Sequence, residues 1–226
     1  KITGFKTGFD EMVHVVGRVR RLIKNGVSLK EIAIISRKNR QLDCFEFELI
    51  KHKINYIKSK GIGILDRVHV KDFLSFLVVL VNRESIIHWR RILNLVTGIG
   101  AVTADKILNS NNNLFTLKLH TIETKSRKLL IDLIKLLKKI EEAFDKNDLD
   151  QICSRIVEYL TPIIGKRIKV KEQMTAEEKI DDLNLIKSVL IRVNDLEQFL
   201  GDIHLTEEMD VQKTLDADKK EHLLLT

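Results

Sequence analysis

Residues 31–41 read Glu31-Ile32-Ala33-Ile34-Ile35-Ser36-Arg37-Lys38-Asn39-Arg40-Gln41. The run Ile32 to Ile35 is wholly apolar, largely β-branched and too short for a helix, which predicts a buried strand of a parallel sheet. Upstream, Phe9 to Ile23 sets Met12, Val15, Val16, Val19, Leu22 and Ile23 at helical spacing and meets a stop signal at Asn25-Gly26. Between them, Ser28 with Glu31 three positions on has the form of a capping box over a short turn. Downstream, a helix is predicted from Leu42 to His52 and a second short strand at Asn55-Tyr56-Ile57. A loop at Lys60-Gly61-Ile62-Gly63 then leads to a strongly apolar helix from Val70 to Val81. Helix, strand, helix, strand in this order implies an α/β layer.

From Ile86 to about Leu200 the periodicity is helical and no strand pattern appears. Leu129, Ile131, Leu133, Ile134, Leu137 and Ile140 line a long helix that also carries Lys125, Arg127, Lys128, Lys135, Lys138 and Lys139. Thr161-Pro162 is expected to break the helix that follows, and Glu178 to Phe199 supplies one or two more. Thr206 to Lys220 is acidic and polar, like a surface linker, before Leu223-Leu224-Leu225 returns to strand character. The fold class is therefore α/β plus all-α: a sheet-bearing domain interrupted by helices, whose last strand rejoins the sheet beside Ile34.

With 44% hydrophobic and 31% charged residues, the 226-residue chain can bury one or two modest cores. A single proline and ten glycines suit a mainly helical protein. The formal charge is +7 and the isoelectric point about 9.3. That balance points to an anionic partner, most often nucleic acid, although a lysine-rich genome produces the same excess without one. No apolar run is as long as a membrane span, the nearest being Phe73 to Val81, and no signal peptide opens the chain. The expected compartment is the cytoplasm, with no membrane partner. Cys44 and Cys153 lie far apart in apolar patterns and are expected to be packed thiols. The seven histidines form no ligand spacing with them, and no metal is expected. A first residue that is Lys1 and a last segment, His222 to Thr226, that reads as a strand suggest a piece of a longer polypeptide.

Chemistry is sparse. The pattern G-x-x-x-x-G-K-[ST] does not occur, so no loop of that kind offers its amides to ATP phosphates. Asp10-Glu11 lies within an amphipathic helix rather than at a strand end, and is not read as a metal-holding pair. Arg37 and Asn39 follow a strand, where open α/β sheets place ligand contacts, and both suit phosphate oxygens. The alternative is that Arg37 pairs with a local carboxylate and Asn39 caps the next helix. Gly98-Ile99-Gly100, between two helices, can act as an anion nest, with Thr103 and Lys106 adding side-chain contacts; it can equally be a tight turn. Lys71, near the start of an apolar helix, either snorkels to solvent or meets phosphate. Lys166, Arg167, Lys169 and Lys171 around Gly165 are a phosphate track or a solvated turn. Trp89, beside Ile86, Ile87, Ile92 and Leu93, is expected in the helical core.

These segments, taken in order, resemble superfamily-1 DNA helicases of the UvrD/Rep/PcrA type. Residues 31–41 are similar to the family's E-I-A-V-L-Y-R-T-N-A-Q, and Ile54-Asn55-Tyr56 to its I-P-Y. Asp66-Arg67-Val68-His69-Val70-Lys71-Asp72 resembles D-R-x-E-I-K-D, and begins ten residues beyond the tyrosine, as in the family. The following helix parallels A-Y-L-R-L, and Arg91-Ile92-Leu93-Asn94 resembles R-I-I-N. Gly98-Ile99-Gly100 with Thr103, Lys106 and Ile107 resembles G-I-G-x-x-T-x-x-K-I. Phe199 to Leu205 resembles the element before the strand that leads into the family's motif V, and His222 to Thr226 that strand. Between Ser110 and Lys187 only helical character matches.

The resemblance implies a partial RecA-like (P-loop NTPase-like) lobe called 2A, formed by residues 1–85 and 201–226, the latter a linker and returning strand. The helical insertion 2B would be residues 86–200. It implies a fragment of an ATP-dependent 3′-to-5′ DNA helicase, of use in processes such as DNA repair. Single-stranded DNA would lie on 2A and duplex on 2B, and the remaining helicase lobes of the same polypeptide would be partners. Arg37, Asn39, Lys71, Gly98, Ile99, Gly100, Thr103 and Lys106 are the expected nucleic-acid contacts. ATP and Mg belong to the full-length enzyme. The fragment itself is expected to carry no cofactor or catalytic residue and, without Walker A and B motifs, to be inactive alone. Ser36, Lys38 and Asn55 depart from the family's Tyr, Thr and Pro, Lys60 from its loop glycine and Ile64-Leu65 from its aromatic pair. The family's Pro-Lys-Arg before Gly98 is shortened to Val96-Thr97. That loss motivates an alternative, in which the helical insertion is mainly a protein-docking or autoinhibitory module.

Overall fold

The computed structural model describes residues 2–59, 61–110, 114–116, 126–167, 174–203 and 221–226. The chain divides into two compact units, residues 1–66 with 193–226 and residues 67–192. The first dividing point thus falls before the apolar helix at 68–81, which clusters with the helices after it.

In the first unit, α1 (Gly8–Lys24) starts at Thr7, whose hydroxyl accepts from the Asp10 amide, and ends at Asn25 before Gly26 at φ +86°. Met12, Val16 and Val19 are its buried stripe, with Val15 and Leu22 half-buried and Ile23 exposed. A single turn at Leu29–Glu31 follows. Ser28 Oγ accepts there from Lys30 N, while Glu31 N bonds the Ser28 carbonyl, so the expected capping box is not the one formed. Strand β1 (Ala33–Ile34), helix α2 (Asn39–Lys51) and strand β2 (Tyr56–Lys58) come next.

The last strand, β3 (Leu223–Leu225), lies between β1 and β2 and runs parallel to both. Ala33 pairs with Leu224 and Ile34 with Leu225 on one side, and Tyr56 to Lys58 with Leu223 to Leu225 on the other. Parallel neighbours need long crossovers, so a central strand from the far end of the chain joins two segments that adjacency alone would not bring together. Leu223 and Leu225 are fully buried against Met12, Val16, Ile34, Leu42 and Phe45, worth about 1.5–3 kcal/mol each. Leu224 points the other way and is partly exposed. Residues 196–203 are helical, and Phe199 stacks on Phe47 of α2 at 6.5 Å.

The second unit is helical throughout its described residues: α3 (Val68–Val81), α4 (Ile86–Leu93), α5 (Ala101–Ser110), α6 (Arg127–Asp145), α7 (Leu149–Arg167) and α8 (Ala176–Leu190). α3 is apolar on nearly every side and packs against α4, α7 and α8, as a helix lacking a polar face must. Trp89 is fully buried, donates Nε1–H to the Arg83 carbonyl at 2.7 Å and meets Phe115 edge-on. Ile86 and Ile87 beside it are exposed, so its burial follows Ile92 and Leu93 alone.

Two expectations for this unit need correction. α7 runs unbroken through Pro162. Proline removes one amide from the helical ladder, but Ile156, Leu160 and Ile164 stay buried around it, and Thr161 Oγ1 bonds the Val157 carbonyl at 2.8 Å. On α6 the buried face is Leu130, Leu133, Ile134, Leu136, Leu137, Ile140 and Ala143, leaving Leu129 exposed and Ile131 half-buried. The linker expected at Thr206 to Lys220 lies outside the described residues, as do Lys60 and Lys125.

Candidate functional site

In the first unit the three parallel strands end together. Ser36 N bonds the Thr226 carbonyl and Ser59 N the Leu225 carbonyl, both at 2.8 Å, which aligns the last residues of the sheet. Arg37 follows in the bend between β1 and α2, exposed, with no hydrogen bond or ion pair to any described residue. Asn39 is the first residue of α2, not its cap. Lys38 occupies that position and makes no side-chain capping bond. A Cβ built on Gly61, at φ +83°, would stand 3.6 Å from Asn39 Nδ2, so the amide faces the loop after β2. Local pairing of Arg37 and capping by Asn39 are therefore not realised among the described residues.

That loop is held from below by a buried ionic group absent from the sequence reading. Lys58 Nζ lies 2.7 Å from Asp43 Oδ1 and 2.6 Å from Glu46 Oε1, with all three side chains buried. Glu46 Oε2 accepts from Tyr56 OH at 3.1 Å and from Ile64 N at 3.3 Å. Burial pushes the Glu46 carboxyl above its ordinary value; Lys58 opposes the shift without cancelling it. A Cβ on Gly63 would approach Glu46 Oε2 to 3.0 Å, so the loop's second glycine permits this contact. The available signal was Asp43 and Glu46 within the apolar run Leu42 to Ile50, with Tyr56 and Lys58 two apart on a strand. Between α1 and β1 there is also a cleft of about 520 Å³, lined chiefly by Val15, Val19, Leu22, Ile35 and Phe45, with Glu11, Arg18, Ser36 and Gln41 as its polar groups.

In the second unit, Gly98-Ile99-Gly100 forms the turn from α4 to α5. Gly98 sits at φ +89°, and a Cβ there would collide with Ser126 Oγ, which donates to the Thr97 carbonyl at 2.5 Å. Ile99 is buried, its amide bonded to the Val96 carbonyl. Gly100 has open space where a side chain would be. Gly98 is thus required by packing, and Gly100 leaves a clear approach to the first amides of α5, which lack helical partners. Thr103 is half-buried and Lys106 exposed, one turn apart on the same side of α5. Arg90 ties α4 to α5 through Asp105 at 2.6 Å.

Lys71 is half-buried on α3 and engaged with a neighbouring group. Nearby, Arg67 Nη1 and His69 Nε2 meet Asp182 Oδ2 of α8 at 2.7 and 2.8 Å. Burial pushes Asp182 upward, but the hydrogen bonds from His69 and Arg67, with their charge, outweigh it and hold the carboxyl below its ordinary range. Arg91 braces the start of α3 by contacting Asp72 and the Val68 carbonyl. Of the basic run near Gly165, Lys166 is exposed, while Lys169, Lys171 and the side chain of Arg167 lie outside the described residues. Both cysteines are free thiols; burial pushes Cys44 up to about 11 and Cys153 up to about 12. Among the described residues no group of three or more His, Cys, Asp or Glu is placed to hold a metal ion, and no helix is long and apolar enough to cross a membrane.

Residues 1–221 match the UvrD-like helicase C-terminal domain. The chain belongs to that family. Among relatives of this UvrD-like chain is a probable DNA helicase II homolog of Mycoplasma capricolum, 26% identical over 231 residues, covering 92% of this chain and 31% of the relative. The ATP-dependent DNA helicase PcrA of Staphylococcus epidermidis is 28% identical over 218 residues, 94% of this chain and 27% of its own. The DNA helicase II of Escherichia coli is 32% identical over 105 residues, 46% of this chain and 15% of the relative. The UvrD-like chain thus spans at most about a third of the length of these relatives.

Proposed function

We propose that this UvrD-like chain is the 2A lobe and 2B insertion of an ATP-dependent 3′-to-5′ DNA helicase, and that its own share of the work is to grip DNA. The observation that carries the reading is the Gly98 turn, with its open approach at Gly100 and the Thr103 and Lys106 side chains on the helix that follows. Amides at a helix start and a free ammonium bind phosphate oxygens irrespective of base, as a protein that moves along duplex requires. Arg37 and Asn39 offer a second phosphate site at the carboxyl ends of the strands, which we assign to single-stranded DNA on 2A. Lys71 is a supporting contact.

ATP and Mg²⁺ would act through the remaining lobes of the full-length enzyme. The residues here do not fit that role, since the sequence has no phosphate-cradling G-x-x-x-x-G-K-[ST] loop, so no step of hydrolysis is assigned to them. The helicase names of the relatives support DNA as partner, and the cytoplasm follows from that reading.

The test is anisotropy of a labelled duplex with a single-stranded tail, titrated with the full chain and with its Gly100→Glu/Lys106→Glu and Arg37→Ala variants. The double variant is expected to lower duplex affinity at least tenfold at low salt. Arg37→Ala is expected to weaken binding of the single strand only. An unchanged duplex affinity in the double variant, with unwinding by the full enzyme also unchanged, would overturn the reading. It would favour protein docking, the second reading, which exposed Ile87 and Val102 support.

A further inference from the structure

The exposed side of α6 carries more cations than carboxylates, six against three. At about 100° per residue, the side opposite the buried face of α6 holds Lys128, Lys135 and Lys139, and Lys146 at its cap, with Glu142 and Ile131 among them and Arg127 and Lys138 to one side. All six are exposed, against the carboxylates Asp132, Glu142 and Asp145 on the exposed side of the helix. Lys135 lies 3.9 Å from Asp132, and the side chains of the other five make no hydrogen bond or ion pair to a described residue. Glu141, which would otherwise temper the row, is held by Arg83 at 2.6 Å. Asp132 and Glu142 stand three or four residues from most of these lysines, yet among the described residues only Lys135 and Asp132 come within ion-pair distance.

The row is also anchored to the turn. Ser126, the residue before α6, donates to the Thr97 carbonyl and fills the space beside Gly98. Arg127 and Lys128 therefore begin next to the Gly98 turn, and the cations lead away from it along the helix. We propose that α6 is a second phosphate track, continuous with that turn, along which the backbone of a DNA duplex lies. From Lys128 to Lys146 the row spans about 27 Å, or about eight base pairs. Lysine ammonium groups act as point charges, so the track adds affinity and salt dependence without base preference. The inference rests on the DNA-binding reading and extends it to residues that reading does not use.

The experiment is a salt titration of duplex binding by the full chain. It compares the wild type, a variant with Lys128, Lys135, Lys139 and Lys146 all changed to Ala, the same four changed to Arg, and Lys106→Glu. Each neutralised phosphate contributes about 0.9 to the slope of log affinity against log salt. The alanine variant is expected to lose about 3 to 4 from that slope, so that its affinity falls about 100-fold less than the wild type's between about 50 and 200 mM salt. The arginine variant is expected to keep the slope, which separates charge from any change in folding. An alanine variant with an unchanged slope, while Lys106→Glu still weakens binding, would overturn the track and leave the function proposed above intact. No duplex binding by the wild type at about 50 mM salt would overturn both. Poly-glutamate of matching charge bound as tightly as duplex would assign the row to an acidic protein and overturn the track alone.

Discussion

Two glycines of one turn have different reasons to be glycine. Gly98 holds a positive φ with a serine hydroxyl where its Cβ would be, whereas Gly100 has room beside it. Gly98→Ala is therefore expected to cost about 1–3 kcal/mol in urea unfolding, and Gly100→Ala less than about 1 kcal/mol. The buried carboxylates differ in sign as well. Asp182, held below its ordinary 3.8, contributes stability above that pH that is lost as pH falls through its lower folded value. Glu46, raised above its ordinary 4.5, contributes stability that is full below 4.5 and lost as pH rises through the folded value. Thermal melts across the acid range are expected to show a shallower loss below pH 3.8 in Asp182→Asn than in the wild type. An identical acid limb would remove the carboxylate from the account. The Asp182 pairing was not legible in the sequence: Arg67 and Asp182 stand 115 residues apart, and nothing local marks them as partners.

Among the elements, helices α1, α2 and α3 and strands β1, β2 and β3 lie within a few residues of where periodicity and stop signals place them. Each of these patterns has its cause within a few residues of chain. α7 continues through Pro162 because proline's cost is local and the compensation is not. One lost amide bond is offset where neighbouring turns are buried on both sides, and α7 packs against α6 and α8. Pro162→Ala restores a donor to the Glu158 carbonyl and is expected to raise stability by about 1–3 kcal/mol, read as a higher melting temperature. A lower one would mean that the proline shapes a bend on which the packing depends. The capping box of the second unit is Thr175 with Glu178, reciprocal in both bonds, at a helix start that the sequence reading placed two residues late.

At the scale of the whole molecule, the closing strand decides the architecture. β3 is the shared neighbour of the other two strands, so the first unit is complete only with the segment that returns to it after residue 192. The sequence motifs around Tyr56, Asp66 and Gly98 led to the same family that the match over residues 1–221 establishes. The proposed grip on DNA belongs to this scale too, because steep salt dependence arises from many phosphate contacts summed rather than from any one residue.

From the residues alone came the kinds of elements, their order, the return of a final strand and the family, since each depends on short-range pattern or on motif order. Tertiary structure alone decided that Lys58 joins Asp43 and Glu46, that Asp182 receives Arg67 and His69, and that Ser126 seals the Gly98 turn. A buried polar group takes its partner from whatever the fold brings within about 3 Å, and that choice is made only when distant segments pack.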